Sequence, residues 1–192
     1  SAGEIGIRIL SDSLPVLRRL KTKIATRLKD WIYAWDETPL AEVTGKILTK
    51  KKKTLAVAES CTGGLLSSRI TAIPGASTFF RGATVAYHSL VKEKLGVPAE
   101  VIRKHGEVSS QVAGELAKSV RARMESDYGI GITGIAGPGG GSAQKPVGLV
   151  YIGLASPDGK VQTWKYVFWG ERHQVQDKAA VKALECLWRK IR

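Results

Sequence analysis

The stretch Leu55-Ala56-Val57-Ala58-Glu59-Ser60-Cys61-Thr62-Gly63-Gly64-Leu65-Leu66 restricts the possible folds more than any other part of the chain. The apolar run Leu55 to Ala58 reads as a short strand buried on both faces. Leu65, Leu66, Ile70 and Ile73 then recur at helical spacing, with the stem of Arg69 beside them, so a helix begins near Gly63 or Gly64. At such a junction unpaired backbone N–H groups and the positive end of the helix converge on one point. Ser60 and Thr62 add hydroxyls, and Gly63-Gly64 lets a ligand approach the backbone closely. The combination suits an anion, either a phosphate or the oxyanion of an acyl transfer. An ordinary capped turn accounts for the same residues, so the rest of the chain has to decide.

The pattern beyond this stretch alternates. Thr38 and Pro39 open a helix over 39–50 with Leu40, Val43, Ile47 and Leu48 on its apolar face. Strands at 54–58 and 82–87 flank a helix over 63–73. A helix from Ser89 to Leu95 ends at Gly96, and Pro98 opens another that stops at Gly106. Ser109 caps a longer helix with Val112, Leu116, Val120 and Met124 on one face. Tyr128–Ile132, Val147–Ala155 and Val161–Phe168 read as strands, the last two joined by the turn Pro157-Asp158-Gly159. Gln174 to Arg192 closes as a helix. Strands and helices in alternation, followed by a hairpin, predict a three-layer α/β/α sandwich with a mixed sheet.

Residues 1–36 read differently. Glu4–Leu10 alternates like a strand, Val16, Leu17, Leu20, Ile24 and Leu28 form a helical face, and Trp31–Trp35 is a second strand-like run. These pieces cannot bury much alone, so a short truncated α+β segment is expected over 1–36, with the main domain over 37–192.

Two cysteines, Cys61 and Cys186, give neither a disulfide framework nor metal-ligand spacing, and the three histidines show no ligand pattern. No metal or cofactor is expected. No apolar run approaches the length of a membrane span, and the first residues lack the layout of a secretion signal, so a cytoplasmic protein is expected. The net charge of +13 invites a nucleic-acid reading. Both parts are basic, however, with twelve Lys/Arg against six acids in 1–53 and eighteen against eleven beyond. Lys50 to Lys53 is the one dense run, and cations at a helix C-terminus explain it. Nucleic acid is therefore expected to bind only weakly and non-specifically, and the excess charge to draw anionic nucleotides to the cleft.

A second glycine-rich stretch, Gly131 to Ser142, follows a buried strand as the first does. Ligands of open α/β sheets bind at the carboxyl ends of strands, so both stretches are expected to face one crevice. Between them stand Ser77, after a Pro-Gly turn, Tyr87 at a strand end, and Lys92 one helical turn beyond Ser89. A serine with a lysine and a tyrosine is a nucleophile–base arrangement in which a desolvated, cation-crowded lysine can be neutral.

Ala58 to Gly64, Pro74-Gly75-Ala76-Ser77, Tyr87 with Lys92, Gly131 to Pro138 with Lys145-Pro146-Val147-Gly148, and Gly170-Glu171-Arg172 together resemble the CinA C-terminal family over residues 39–192. Residues 1–36 resemble the tail of the KH-like domain that precedes this module in longer CinA proteins. Two departures from the usual pattern lie beside the expected site, His88-Ser89-Leu90 after the tyrosine and Gly139 where Asp is frequent. The resemblance implies a metal-free Ser/Lys amidase that hydrolyses nicotinamide mononucleotide to nicotinic acid mononucleotide and ammonia, and a homo-oligomer. Carried onto this sequence, it implicates Ser60, Ser77, Tyr87, Lys92, Thr133 and Arg172.

The expected roles are Ser77 or Ser60 as nucleophile, with Ser77 preferred, Lys92 as base and Tyr87 as proton relay. Glu59, Thr62, Gly63, Gly64, Thr133 and Gly134 would surround the oxyanion or the substrate. Lys145 and Arg172 would meet the phosphate. The rival is a non-catalytic nucleotide- or nucleic-acid-binding regulatory module, which predicts a continuous basic surface with exposed aromatics.

Overall fold

The computed structural model describes residues 3–192. Five strands form one sheet: β1 (Leu55–Glu59), β2 (Phe80–Val85), β3 (Tyr128–Gly134), β4 (Leu149–Ala155) and β5 (Val161–Val167). Their order is β2-β1-β3-β4-β5, with β2, β1 and β3 parallel and β4 and β5 antiparallel. The seven helices are α1 (Leu14–Leu28), α2 (Leu40–Lys50), α3 (Leu65–Thr71), α4 (Ser89–Leu95), α5 (Ala99–His105), α6 (Ser110–Arg123) and α7 (Arg172–Ile191). The expected three-layer α/β/α sandwich with a mixed sheet is the fold observed.

Alternation along the buried strands assigns the two faces. Leu55, Val57, Ile130, Ile132, Val150, Ile152 and Leu154 pack with α2, α3 and α7. Ala56 and Ala58 point the other way, towards Leu95, Val112, Leu116 and Val120 of α4 and α6. That second face is built from small residues so that α6 can lie close to the sheet. A Cβ added at Gly131 would stand 2.3 Å from the Ala113 carbonyl oxygen, and one at Gly153 would stand 2.2 Å from it. Ala113, Gly114 and Ala117 are the matching small residues on the helix, all buried.

Local signals placed the elements after residue 37 within two residues of their ends, and four of the small shifts have consequences or causes. β2 starts at Phe80, earlier than expected, and stops at Val85, which leaves Tyr87 beyond the strand. α7 starts at Arg172, because Glu171 and Gln174 form a reciprocal capping box. α3 is shorter at both ends than the expected 63–73. α2 is capped by Pro39, and Thr38 instead donates its amide to Asp36 Oδ1 at 3.0 Å.

The strands expected in residues 4–10 and 31–35 do not form. Alternation produces a strand only where a neighbouring strand can pair with it, and neither sheet edge receives these segments. Ile5, Ile7 and Leu10 remain exposed, and α1 has no buried residue. The segment is tethered instead by Glu4, which accepts hydrogen bonds from the Tyr33 hydroxyl at 2.9 Å and the Leu40 amide at 3.3 Å. No described helix is long and apolar enough to cross a membrane.

The close seating of α6 gives a direct test. Gly131→Ala should lower stability by about 1–3 kcal/mol, because the added methyl meets helix backbone that cannot yield without shifting α6. Urea unfolding should show an earlier midpoint with an unchanged slope. A midpoint within error of the wild type would mean that the helix is not so tightly seated.

Candidate active site

The carboxyl ends of β1 and β3 open onto a cleft of about 240 Å³. Ser60 and Cys61, Tyr87, Glu107, Thr133, Arg172 and the loop from Gly134 to Gly140 line it. Both glycine-rich stretches do face one crevice, as their positions after parallel strands required.

The first stretch holds an anion, but one supplied by the chain itself. Glu59 is fully buried, and its carboxylate accepts the amides of Gly64 (3.1 Å), Leu66 (3.1 Å) and Ser67 (2.8 Å) together with the Ser67 hydroxyl. The positive end of α3 is thereby neutralised from below. Glu59, expected in the binding set, thus lies outside the cleft's lining with its carboxylate committed to α3. The donors of Gly63 and Leu65 are also used, by Ser60 O and Thr62 O. Thr62 is buried and its hydroxyl has no partner among the described residues. The turn expected to cradle substrate is closed.

Two places in the cleft keep open donors. The Ser60 hydroxyl makes no hydrogen bond to any described residue and lies in the cleft's lining, at the turn between β1 and α3. The second place is the loop after β3, where the amides of Ala136, Gly137, Gly139 and Gly140 have no acceptor among the described residues. Successive free amides of this kind form an anion-binding concavity.

Arg172 and Tyr87 form one wall. Arg172 donates Nη1 to the Gly137 carbonyl at 2.7 Å and Nη2 to the Tyr87 hydroxyl at 3.0 Å, which fixes the guanidinium at the mouth of the loop. Lys92 lies outside the lining, behind Tyr87 and Glu107, and is only 1% exposed. Its Nζ donates to the Tyr87 carbonyl and to Glu107 Oε2, both at 2.9 Å. Its recorded partners are thus acceptors, not the crowding cations expected. The Thr133 hydroxyl donates to the Glu107 carbonyl at 2.8 Å. Lys145 stands outside the lining and donates Nζ to the His105 carbonyl at 2.9 Å, so it braces the segment that carries Glu107.

The structure does not bring Ser77 to this cleft. Ser77 sits in a short 3₁₀ turn (Ala76–Thr78) before β2, whereas Tyr87 and Lys92 follow the other end of that strand. Six residues of strand at ~3.3 Å each separate the two ends by roughly 20 Å. Within one chain the expected Ser77–Lys92 pair is not assembled, and Ser60 is the serine of the cleft. Glu107 was missed altogether by sequence reasoning. The one signal for it was that a lysine buried behind strand ends needs a carboxylate, and Glu107 is an acid in the turn between two helices.

Titration behaviour follows from these contacts. Burial pushes the Cys61 thiol up to about 12, so the cysteine beside Ser60 is not a thiolate at neutral pH. For Glu107, burial acts upward, but the hydrogen bonds from Lys92 and Ser89 and the charges of Lys92 and His88 outweigh it and hold the carboxyl below its ordinary 4.5. Asp127 behaves alike at the far end of the sheet. Burial again acts upward, and Lys53 and Thr54 hold it below its ordinary 3.8.

These residues fit a known family. The model of the CinA C-terminal domain matches residues 37–191. The chain belongs to the CinA C-terminal domain family. A protein of Halothermothrix orenii named for competence-damage induction is 47% identical over 170 residues, covering 88% of this chain and 41% of the relative. A CinA-like protein of Dictyoglomus thermophilum is 45% identical over 175 residues, covering 91% of this chain and 42% of the relative. The chain thus spans about two fifths of the length of the curated relatives it matches. Crystal structures of CinA superfamily proteins from Klebsiella pneumoniae and Enterobacter cloacae superpose with a TM-score of 0.76 each, at 29% and 33% identity. They cover 79% and 84% of this chain, and 95% and 97% of their own.

Two outcomes follow for the CinA-family chain. Iodoacetamide near pH 8 should leave Cys61 unmodified in the folded protein and alkylate it after denaturation, as read by peptide mass spectrometry. Rapid labelling of folded protein would show a more accessible or more acidic thiol. Glu107 and Asp127 each release their proton more readily folded than unfolded, so their stabilisation is complete above their ordinary values and lost as pH falls through the lower folded-state values. Melting temperature should accordingly drop as pH falls below ~4, and Glu107→Gln should make that acid slope shallower.

Proposed function

We propose that this cleft hydrolyses the carboxamide of nicotinamide mononucleotide, giving nicotinic acid mononucleotide and ammonia. The observation that carries the reading is the pairing of a free serine hydroxyl with unused backbone donors in one cleft. Ser60 is placed by a strand-to-helix turn, and Ala136, Gly137, Gly139 and Gly140, whose amides have no acceptor among the described residues, line the same cleft. Amide hydrolysis needs a nucleophile and donors for the oxyanion that forms as it attacks. Family membership and the match to CinA proteins are consistent with this.

In the proposed mechanism Ser60 Oγ attacks the carboxamide carbon and its proton passes to Lys92. The developing oxyanion is held by the free amides of the glycine-rich loop. Ammonia then leaves with a proton returned to it, and water hydrolyses the acyl-enzyme. Arg172 keeps unused N–H donors after its contacts to Gly137 and Tyr87, so it can meet the phosphate without being released. Tyr87 holds Arg172 through its hydroxyl and Lys92 through its carbonyl, and is thereby an orienting residue at both ends of the cleft.

The test is ammonia release from nicotinamide mononucleotide by purified protein, with two serine variants side by side. Ser60→Ala should lose at least about 100-fold in kcat, the usual scale for a group that acts in the chemical step. Ser77→Ala should stay within about threefold. The reverse ranking would mean that Ser77 reaches a cleft by a route a single chain does not provide, such as a second subunit. No ammonia from wild type would favour the non-catalytic binding module.

A further inference from the structure

Glu107 is the acid of the cleft to which the proposed mechanism gives no role. It lies in the loop between α5 and α6, and the contacts it makes are unusually many for a loop residue. Oε2 accepts from Lys92 Nζ at 2.9 Å, and Oε1 accepts from the Ser89 hydroxyl, so both oxygens are occupied by α4. The Glu107 carbonyl accepts the Thr133 hydroxyl from β3. On one side of it the Ser109 hydroxyl donates to the Gly106 carbonyl at 2.9 Å, and on the other Lys145 donates to the His105 carbonyl. Strand β3, helix α4 and the glycine-rich loop are all tied to this one short segment.

We propose that Glu107 is the positioning residue of Lys92: its carboxylate fixes the lysine head group behind the cleft, where the proposed mechanism needs an acceptor for the proton of Ser60. The geometry makes the relation asymmetric. Lys92 is 1% exposed and Glu107 is the carboxylate that receives it, whereas the Glu107 side chain is 44% exposed and reaches the cleft. Both oxygens of that carboxylate are taken by α4, so the place of the lysine head group follows the segment that carries Glu107. The other charged or titratable groups around Lys92 are His88 and Tyr87 from the segment after β2, Arg172 from α7, and Glu59 and Cys61 from the β1–α3 junction. Glu59 is committed to the amides of α3 and Arg172 to Gly137 and Tyr87, so neither substitutes for Glu107.

This role rests on the amidase reading and on Lys92 as its base. The experiment is steady-state ammonia release from nicotinamide mononucleotide by wild type, Glu107→Gln and Glu107→Asp, with melting temperatures beside it. Glu107→Gln keeps the shape and loses the charge. It should lower kcat by about tenfold or more, with KM within about threefold. Glu107→Asp, which keeps the charge, should recover part of that kcat. A Glu107→Gln kcat within about threefold of wild type, or a loss of kcat that Glu107→Asp does not recover and that tracks a fall in melting temperature, would show a purely structural loop residue and overturn the role alone. A wild type that releases no ammonia would overturn the amidase reading and this role together.

Discussion

The buried carboxylate of Glu59 is the interaction on which the site geometry depends. It stands at the end of β1, and its two oxygens take three amides and one hydroxyl from the start of α3. A carboxylate fully removed from water is costly unless its lone pairs are satisfied, and charge-assisted bonds to a helix N-terminus satisfy them. The same bonds fix the angle at which the chain leaves the strand. That angle holds Ser60 and Cys61 at the lip of the cleft, where the Ser60 hydroxyl has no partner among the described residues.

Closing one anion site internally moves the open one elsewhere. The glycine-rich loop after β3 has no acidic residue of its own to fill its amides, and Arg172 is clamped across its mouth by Gly137 and Tyr87. The two stretches look alike in sequence, a buried strand followed by glycines, yet one serves to set backbone direction and the other to leave donors free. The difference is a single residue. Glu59 precedes the first turn, whereas its partner in register on β3 is the apolar Ile132, and Thr133 after it turns its hydroxyl to Glu107.

Sheet and helices were legible because they rest on local signals. Burial of Leu55 to Ala58, the cap at Ser109 and the turn at Pro157-Asp158-Gly159 are written within a few residues of each element. The cleft was legible in outline for a topological reason: parallel strands β1 and β3 bring their carboxyl ends together whatever the side chains. Ser77 was misplaced because closeness in sequence to Tyr87 hides the length of β2 between them. Glu107 was invisible because its meaning comes from a buried lysine on another element, and no spacing rule connects residues 92 and 107. The strands expected before residue 36 failed for lack of a partner, a condition that alternation within a segment cannot report.

The distribution of positive charge is set by the helix ends more than by the cleft. Lys50 to Lys53 follow α2, where Lys51 Nζ donates to the Ile191 carbonyl at the end of α7 and Lys53 pairs with Asp127 at 2.8 Å. Arg121 donates to the Asp127 carbonyl at 2.9 Å near the end of α6. These cations gather where β1 and β3 begin, the end of the sheet opposite the cleft, and they meet carbonyls and acids that a helix C-terminus leaves exposed. The cleft itself is lined by one cation, Arg172, and one acid, Glu107. An exposed charge a sheet's length away is screened beyond about a Debye length, roughly 8 Å at physiological salt. The cations gathered at that far end therefore contribute little at the cleft, where Arg172 and the free amides of the glycine-rich loop are the groups that would meet an anion.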